Sequence, residues 1–286
     1  MSYLIGPRVT GEILRMPLHF GLAAGPRQDL EGNRHDTVTS PDAVSAWVRF
    51  AADADWVAQH LPPGFEPAAV PDLTFEVRNL TNISWLAGRG YSIVTVATAA
   101  RWVGGDEPLD GRFQLVLWEN QADPIITGRE EVGYSKMFAD ITDIERVDDS
   151  ASATASWFGF PFLRLRVDEL RPIDVTDSAR QMPSGPGFHW KYIPKTGTWG
   201  EADASYPVVT PTTGGSRVVT EALAGTGTVV VERATWEQLP TLVHIVNTLA
   251  DLELGDCLSA GLTRSTGHKD LRDQAELRFR AEEPTA

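Results

Sequence analysis

The chain has 286 residues, 42% hydrophobic and 22% charged, an ordinary globular composition long enough for one large core or two small ones. Its 25 basic and 39 acidic residues leave a net charge of −14, which repels phosphate backbones and anionic headgroups and argues against nucleic acid and membrane partners. Cys257 is the single cysteine, so an intramolecular disulfide and a cysteine-built metal cluster are excluded.

Residues 1–40 mix Gly, Pro and charge without periodicity and read as an irregular entry segment. No basic region followed by an apolar run opens the sequence, and apolar stretches such as Leu115-Val116-Leu117-Trp118 fall far short of the roughly 18 residues a membrane helix needs; a cytoplasmic protein is expected. Residues 44–50 alternate and are rich in β-branched and aromatic types, which predicts a half-buried strand. Asp53 or Asp55 is placed to cap a short helix carrying Trp56, Val57 and Leu61, stopped by Pro62-Pro63-Gly64. Further strands are predicted at 73–77, 91–103, 113–118 and 125–127, each bounded by Gly, Pro, Asn or Asp. A second block predicts strands at 157–165, 216–222 and 228–233, with Gly225 and Gly227 marking a hairpin between the last two.

Apolar residues at 239, 242, 243, 245, 246 and 249 predict a helix opening after Pro240. No repeat or linker divides the chain, so 1–286 reads as one domain, with 265–286 a charged surface tail to which no chemistry is assigned. The pattern by itself says only that strands dominate. Tryptophans at strand positions (85, 102, 118, 157 and 190) are suited either to line a large cavity or to pack in the core.

Phosphate-cradling loops, the HExxH pair and the GxSxG elbow are all missing, and the six histidines are scattered, so no nucleotide cofactor and no metal is expected. The segment Gly128-Arg129-Glu130-Glu131-Val132-Gly133-Tyr134-Ser135-Lys136-Met137-Phe138 stands out because it holds a lysine among an aromatic and two large apolar side chains. Apolar burial disfavours an ammonium ion, which frees the amine to attack a carbonyl and form a Schiff base. The protonated imine is an electron sink for a breaking carbon–carbon bond or a departing α-proton. The residues alone leave a second reading open, a surface lysine paired with Glu130 or Glu131.

This segment resembles the signature of the acetoacetate decarboxylase family, in which Gly-Arg-Glu leads through Tyr-Pro to the Schiff-base lysine; Gly128-Arg129-Glu130 and Tyr134-Ser135-Lys136 match it without a gap. Leu73-Thr74-Phe75-Glu76 and Gly88-Arg89-Gly90-Tyr91 resemble family segments upstream, and Leu239-Pro240 with Leu249-Ala250-Asp251-Leu252 one downstream. The likeness runs from about residue 47 to residue 254. It implies an α+β fold, an antiparallel β-barrel or cone with peripheral helices. It further implies Lys136 as nucleophile, Glu76 as a proton-transfer group or a strand brace, and Arg129 and Glu130 shaping the pocket or holding a substrate carboxylate. Tyr134, Tyr91, Trp118 and Met137 would lie against the substrate. For Arg129 an internal ion pair with Glu130 or Glu131 is equally open.

The same resemblance implies a small carbonyl or keto-acid substrate, a lyase-type reaction such as decarboxylation or aldol-dehydration in specialised metabolism, and a homo-oligomer. Two departures bear on that activity. Acetoacetate decarboxylase has a second lysine directly after the nucleophile to favour the free amine, and this chain has Met137 there. Where the family has a polar residue and then Glu after the Gly-Arg-Gly-Tyr turn, this chain has Ser92 and Ile93, and an isoleucine transfers no proton. Ser135 also replaces the family's proline. A barrel that binds a hydrophobic carbonyl ligand without covalent chemistry, or guides a cyclisation, is the alternative.

Overall fold

Strand β1 (Asp42–Ala51) alternates small and large apolar residues and is buried on nearly every position, with Ala46, Trp47 and Val48 fully enclosed. Such a strand must have neighbours on both sides, and it does: β1 pairs antiparallel with β3 (Asp72–Thr81) and with β14 (Cys257–Thr266). The computed structural model describes residues 13–16, 23–178, 185–269 and 271–281. Between β1 and β3 lie helix α1 (Ala54–His60) and the short β2 (Phe65–Pro67). Of the two candidate caps it is Asp53 that serves, accepting from the Trp56 N–H at 2.8 Å.

β4 (Tyr91–Trp102) shows strict alternation of buried and half-buried positions, and β5 (Leu109–Glu119) pairs with it. The following Ile125-Ile126-Thr127, expected as a strand, instead ends helix α2 (Ala122–Thr127). Asp123 in the first turn and the Gln121 side chain bonding the Ala122 N–H favour that helix over extension. The chain then enters a π-helical turn, Gly128–Val132, and returns as β6 (Lys136–Phe138), parallel to β5.

Next come β7 (Asp140–Ile141), β8 (Glu145–Val147), β9 (Ser150–Trp157) and β10 (Phe160–Pro172). The expected strand over 157–165 is thus split by a turn at Phe158-Gly159, both with positive φ. After β11 (Gly187–Pro194) and β12 (Ala202–Thr210), the hairpin expected at Gly225 and Gly227 is absent: β13 (Val218–Val231) runs straight through. A Cβ at Gly225 would strike the Asp168 carbonyl and one at Gly227 the Val48 side chain, so these glycines permit close approach inside a strand rather than a turn. Helix α3 (Val243–Ala250) begins later than expected, with Leu239 buried in the turn before it. β15 (Ala275–Glu276) closes the order.

The main ladder runs β15-β12-β11-β5-β4-β3-β1-β14-β13-β10-β9-β7, with β2, β6 and β8 attached to β4, β5 and β9. It is mixed, because β5 pairs in parallel with both β6 and β11, and the path does not return from β7 to β15. The structure is therefore a mostly-sheet α+β fold with a large mixed sheet that does not close, where an antiparallel β-barrel or cone was expected. One core includes Val48, Phe75, Val94, Trp118, Phe162 and Leu165; a smaller aromatic one joins Phe65, Trp102, Phe113 and Phe188. No helix among the described residues is long and apolar enough to cross a membrane.

Candidate active site

Alternation decides which residues share a face. On β3 the positions alternating with core residues Phe75 and Val77 carry Glu76 and Arg78; on β4 those alternating with Val94 and Val96 carry Ile93 and Thr95, with Tyr91 at the strand's start; on β5, Glu119 follows core residue Trp118. These side chains line a cavity of about 540 Å³, closed elsewhere by residues including Tyr134, Lys136, Arg217, His268 and Lys269. Parallel pairing sets Lys136 opposite Leu117 and Met137 opposite Trp118, so the lysine faces the cavity and the methionine the core.

The turn that presents Lys136 is held from several sides. Gly133 adopts φ 84°, a left-handed conformation that suits glycine, and the Tyr134 N–H closes back on the Gly128 carbonyl at 3.0 Å. Lys191 Nζ donates to the carbonyls of Glu130 and Glu131, each at 2.9 Å. His189 lies 2.8 Å from the Val132 carbonyl and stacks on Tyr134 at 4.1 Å; burial, with a smaller push from the Lys191 charge, depresses its pKa to about 4, so it serves here as a neutral donor. Glu131 pairs with Arg15 and Arg27, tying the entry segment to the same turn.

Within this frame Lys136 Nζ sits 2.8 Å from Glu119 Oε1 and donates to the Pro124 carbonyl at 3.1 Å. The aliphatic stem lies against Gly128, where a Cβ would collide with Lys136 Cδ and Cε. The Lys136 side chain is 11% exposed and that of Glu119 is 0% exposed. The ion contact lacks hydrogen-bond alignment, and neither Glu119 oxygen has a hydrogen-bonded partner. Burial raises the Glu119 carboxyl above the ordinary range, and the charge and contact of Lys136 offset this only in part. Burial likewise raises the Tyr91 phenol, and the neighbouring Glu119 charge adds to it. Two acid–base groups therefore touch where protein encloses one side and the other opens on a cavity.

A second charged group lies on the same cavity. Arg78 pairs with Glu76 at 2.7 Å, and Arg217 donates to Ser265 Oγ at 3.1 Å and Thr263 Oγ1 at 3.4 Å. Arg217 is exposed to the cavity yet enclosed by protein, and this desolvation, with the Arg78 charge next, lowers its pKa while Glu76 opposes.

Of the residues singled out in the sequence, Lys136, Glu76, Tyr134 and Tyr91 meet at this cavity. Arg129 is exposed and donates to the Lys136 carbonyl at 2.8 Å, bracing the main chain rather than lining the cavity. Glu130 is exposed as well, and neither it nor Glu131 pairs with Lys136. Trp118 is fully buried against Phe162, on the face of β5 opposite Glu119, and Met137 packs into that same core. Of the five tryptophans, Trp85 alone lines the cavity among the described residues. The tail was assigned no chemistry, yet Ser265, His268 and Lys269 border the cavity and Gln274 Nε2 donates to the Tyr134 hydroxyl at 3.1 Å.

Sequence reasoning missed Glu119, Arg78 and Arg217. Glu119 stands directly opposite Ile93 in the β4–β5 register. A carboxylate that position 93 lacks is thus supplied by its cross-strand neighbour, a relation visible only once the strands are paired. Arg78 was legible from its spacing of two from Glu76; nothing local marks Arg217.

Fold and site together define a mostly-sheet α+β protein in which a buried lysine–carboxylate pair, Lys136 with Glu119, faces a cavity. The family model for acetoacetate decarboxylase (ADC) matches residues 16–263, and the chain belongs to that family. Solved structures agree in fold. An acetoacetate decarboxylase-like enzyme from Sphingomonas wittichii RW1 superposes with a TM-score of 0.62 at 18% identity over 86% of this chain and 95% of its own. An acetoacetate decarboxylase gives 0.65 at 14% identity over 85% and 88%. The enduracididine biosynthesis enzyme MppR, complexed with pyruvate, gives 0.60 at 18% identity over 90% and 99%. Among curated proteins no sequence matches.

Proposed function

We propose that the protein is a Schiff-base enzyme of specialised metabolism, a lyase or related catalyst acting on a carbonyl or keto-acid substrate, with Lys136 as the nucleophile. The observation that carries this reading is the contact between Lys136 Nζ and the fully buried carboxylate of Glu119, facing a cavity large enough for a small molecule. Family membership and the pyruvate complex of MppR support it.

In this reading a carboxylate base in contact with the lysine stands in place of the neighbouring cation of acetoacetate decarboxylase and acts differently, by taking the proton rather than by repelling it. Glu119, whose charge burial disfavours, is the base in contact with Nζ and accepts its proton as the amine adds to the carbonyl. The proton held by Glu119 then passes to the carbinolamine hydroxyl. Water departs, leaving a protonated imine on Lys136 beside the Glu119 carboxylate. The iminium then accepts the electron pair of a breaking carbon–carbon bond or a departing α-proton. Glu76 and Tyr91 line the same space and are further groups available for proton movement. Arg129 acts through the backbone it holds.

Borohydride trapping with pyruvate and a panel of keto acids and aldehydes, followed by peptide mapping, tests the proposal. The expected result is one reduced adduct on the peptide containing Lys136, absent in Lys136→Arg, whose guanidinium forms no such imine. Equal labelling of Lys191, Lys195 and Lys269, or full turnover by the arginine variant, would sink it.

A further inference from the structure

The cavity charges do not balance, and the imbalance identifies a ligand group. Lys136 is matched by Glu119, Arg78 by Glu76 at 2.7 Å, and Lys269 by Asp273 at 2.6 Å. Arg217 is the lining cation left over: among the described residues no carboxylate lies within ion-pair distance of it. It precedes β13, and two hydroxyls on β14, Ser265 and Thr263, hold it in place. A guanidinium has five N–H donors, of which these hydroxyls use two. Among the described residues no further acceptor is bonded to Arg217, which lines the cavity with a planar fork whose geometry matches a carboxylate. An anion arriving on the cavity side would pair with this charge.

We propose that Arg217, with Arg78 beside it, is the seat of the substrate carboxylate, so that the ligand is a keto acid whose carbonyl meets Lys136 while its carboxylate meets Arg217. The cavity wall also carries Leu80, Ile93 and Leu117, and its volume of about 540 Å³ is roomier than a three-carbon acid needs. The substituent on the keto acid is therefore apolar. Ile93 then has a use of its own, contacting that substituent at a position where the proton-transfer role has moved across the ladder to Glu119. This assignment rests on the Schiff-base reading for its orientation, and on Arg217 alone for its anion site.

Phenylpyruvate and phenylacetone, which differ by a carboxylate in place of a methyl, are suitable probes. The readout is the ratio of their borohydride-trapped adducts on Lys136, in the parent protein, Arg217→Met and Arg217→Lys. The parent should favour the keto acid, Arg217→Met should lower the ratio about ten- to a hundredfold, and Arg217→Lys should fall between, because it restores the charge without the fork. An unchanged ratio in Arg217→Met overturns the assignment. If Arg217→Met fails to fold, a parent-like ratio in Arg217→Lys is evidence against the fork and overturns it as well. Should the parent trap neither probe, the Schiff-base reading has failed by itself. Calorimetric titration with phenylpyruvate then decides the anion seat: binding lost in the arginine variants upholds it, and equal binding removes it.

Discussion

Asp72 and Glu119 are both carboxylates with 0% side-chain exposure, and both face basic residues, yet they are opposite kinds of group. Asp72 is saturated: Arg112 reaches it with two nitrogens at 3.0 Å, Arg49 adds a third contact, and the Ala99 N–H a fourth at 2.9 Å. Burial alone would raise its pKa, but the Arg112 hydrogen bonds and charge, then Arg49 and Ala99, hold it below the ordinary range. Glu119 has one cation, poorly aligned, and its pKa goes up. The first arrangement fixes β3, β4 and β5 in register. The second leaves a buried carboxylate whose charge is disfavoured in contact with an amine that faces a cavity, an arrangement suited to moving a proton rather than to holding strands together.

The largest expected difference is in stability. Asp72→Asn leaves two arginines without their anion in a buried place and should destabilise the fold by about 3–5 kcal/mol, read by chemical denaturation. Adduct formation by the molecules that remain folded should keep the parent rate. Because the folded pKa of Asp72 is depressed, its contribution is present above the unfolded value of about 3.9 and is lost as pH falls through the lower folded value. The variant should therefore show a flatter loss of stability in acid. A stability change under 1 kcal/mol, or an unaltered acid limb, would erase the contrast.

Next in size is a change that touches the reactive pair and spares the rest. A methyl group at Gly128 would collide with the Lys136 stem and come within 2.6 Å of Nζ, so Gly128→Ala must push the amine off its position. Displacement of about 1 Å is enough to cost a hundredfold in a positioned reaction. Trapping of Lys136 should fall by about that factor, while urea denaturation stays close to the parent. Parent-like trapping would mean that the lysine does not depend on the packing around it.

How much of this was open to the sequence follows from the range of the interactions involved. The strands over β1, β3, β4 and β5 were legible because alternation is a local property, and Lys136 because its motif is contiguous. Ile125-Ile126-Thr127 misled because a short apolar run has no period of its own, and Gly225 and Gly227 because a glycine needed for close approach looks like one needed for a turn. Glu119 was hidden for another reason. It ends an apolar run and gains its meaning from Ile93 across the ladder and from Lys136, which reaches it after a helix and a π-turn. Arg217 lies 81 residues beyond Lys136 and shares only the cavity with it.

The smallest effect on stability is expected where the effect on chemistry is most specific. The folded pKa of Glu119 is raised, so ionised Glu119 favours the folded state less than the protonated form does. Its contribution is greatest below the unfolded value of about 4.3 and declines as pH rises through the folded value. Glu119→Gln removes that decline, and although Lys136 loses its anion it keeps the Pro124 carbonyl and an open cavity. Stability at neutral pH should then change by less than about 1 kcal/mol, against the several lost at Asp72. The pH profile of adduct formation should move instead. With the carboxylate gone only the Pro124 carbonyl still favours the ammonium form, so half-maximal trapping shifts to lower pH, while the plateau drops because the acid that expels water is missing. A profile superimposable on the parent's would make Glu119 a structural partner like Asp72; a shifted midpoint with a lowered plateau separates the two carboxylates by function as well as by surroundings.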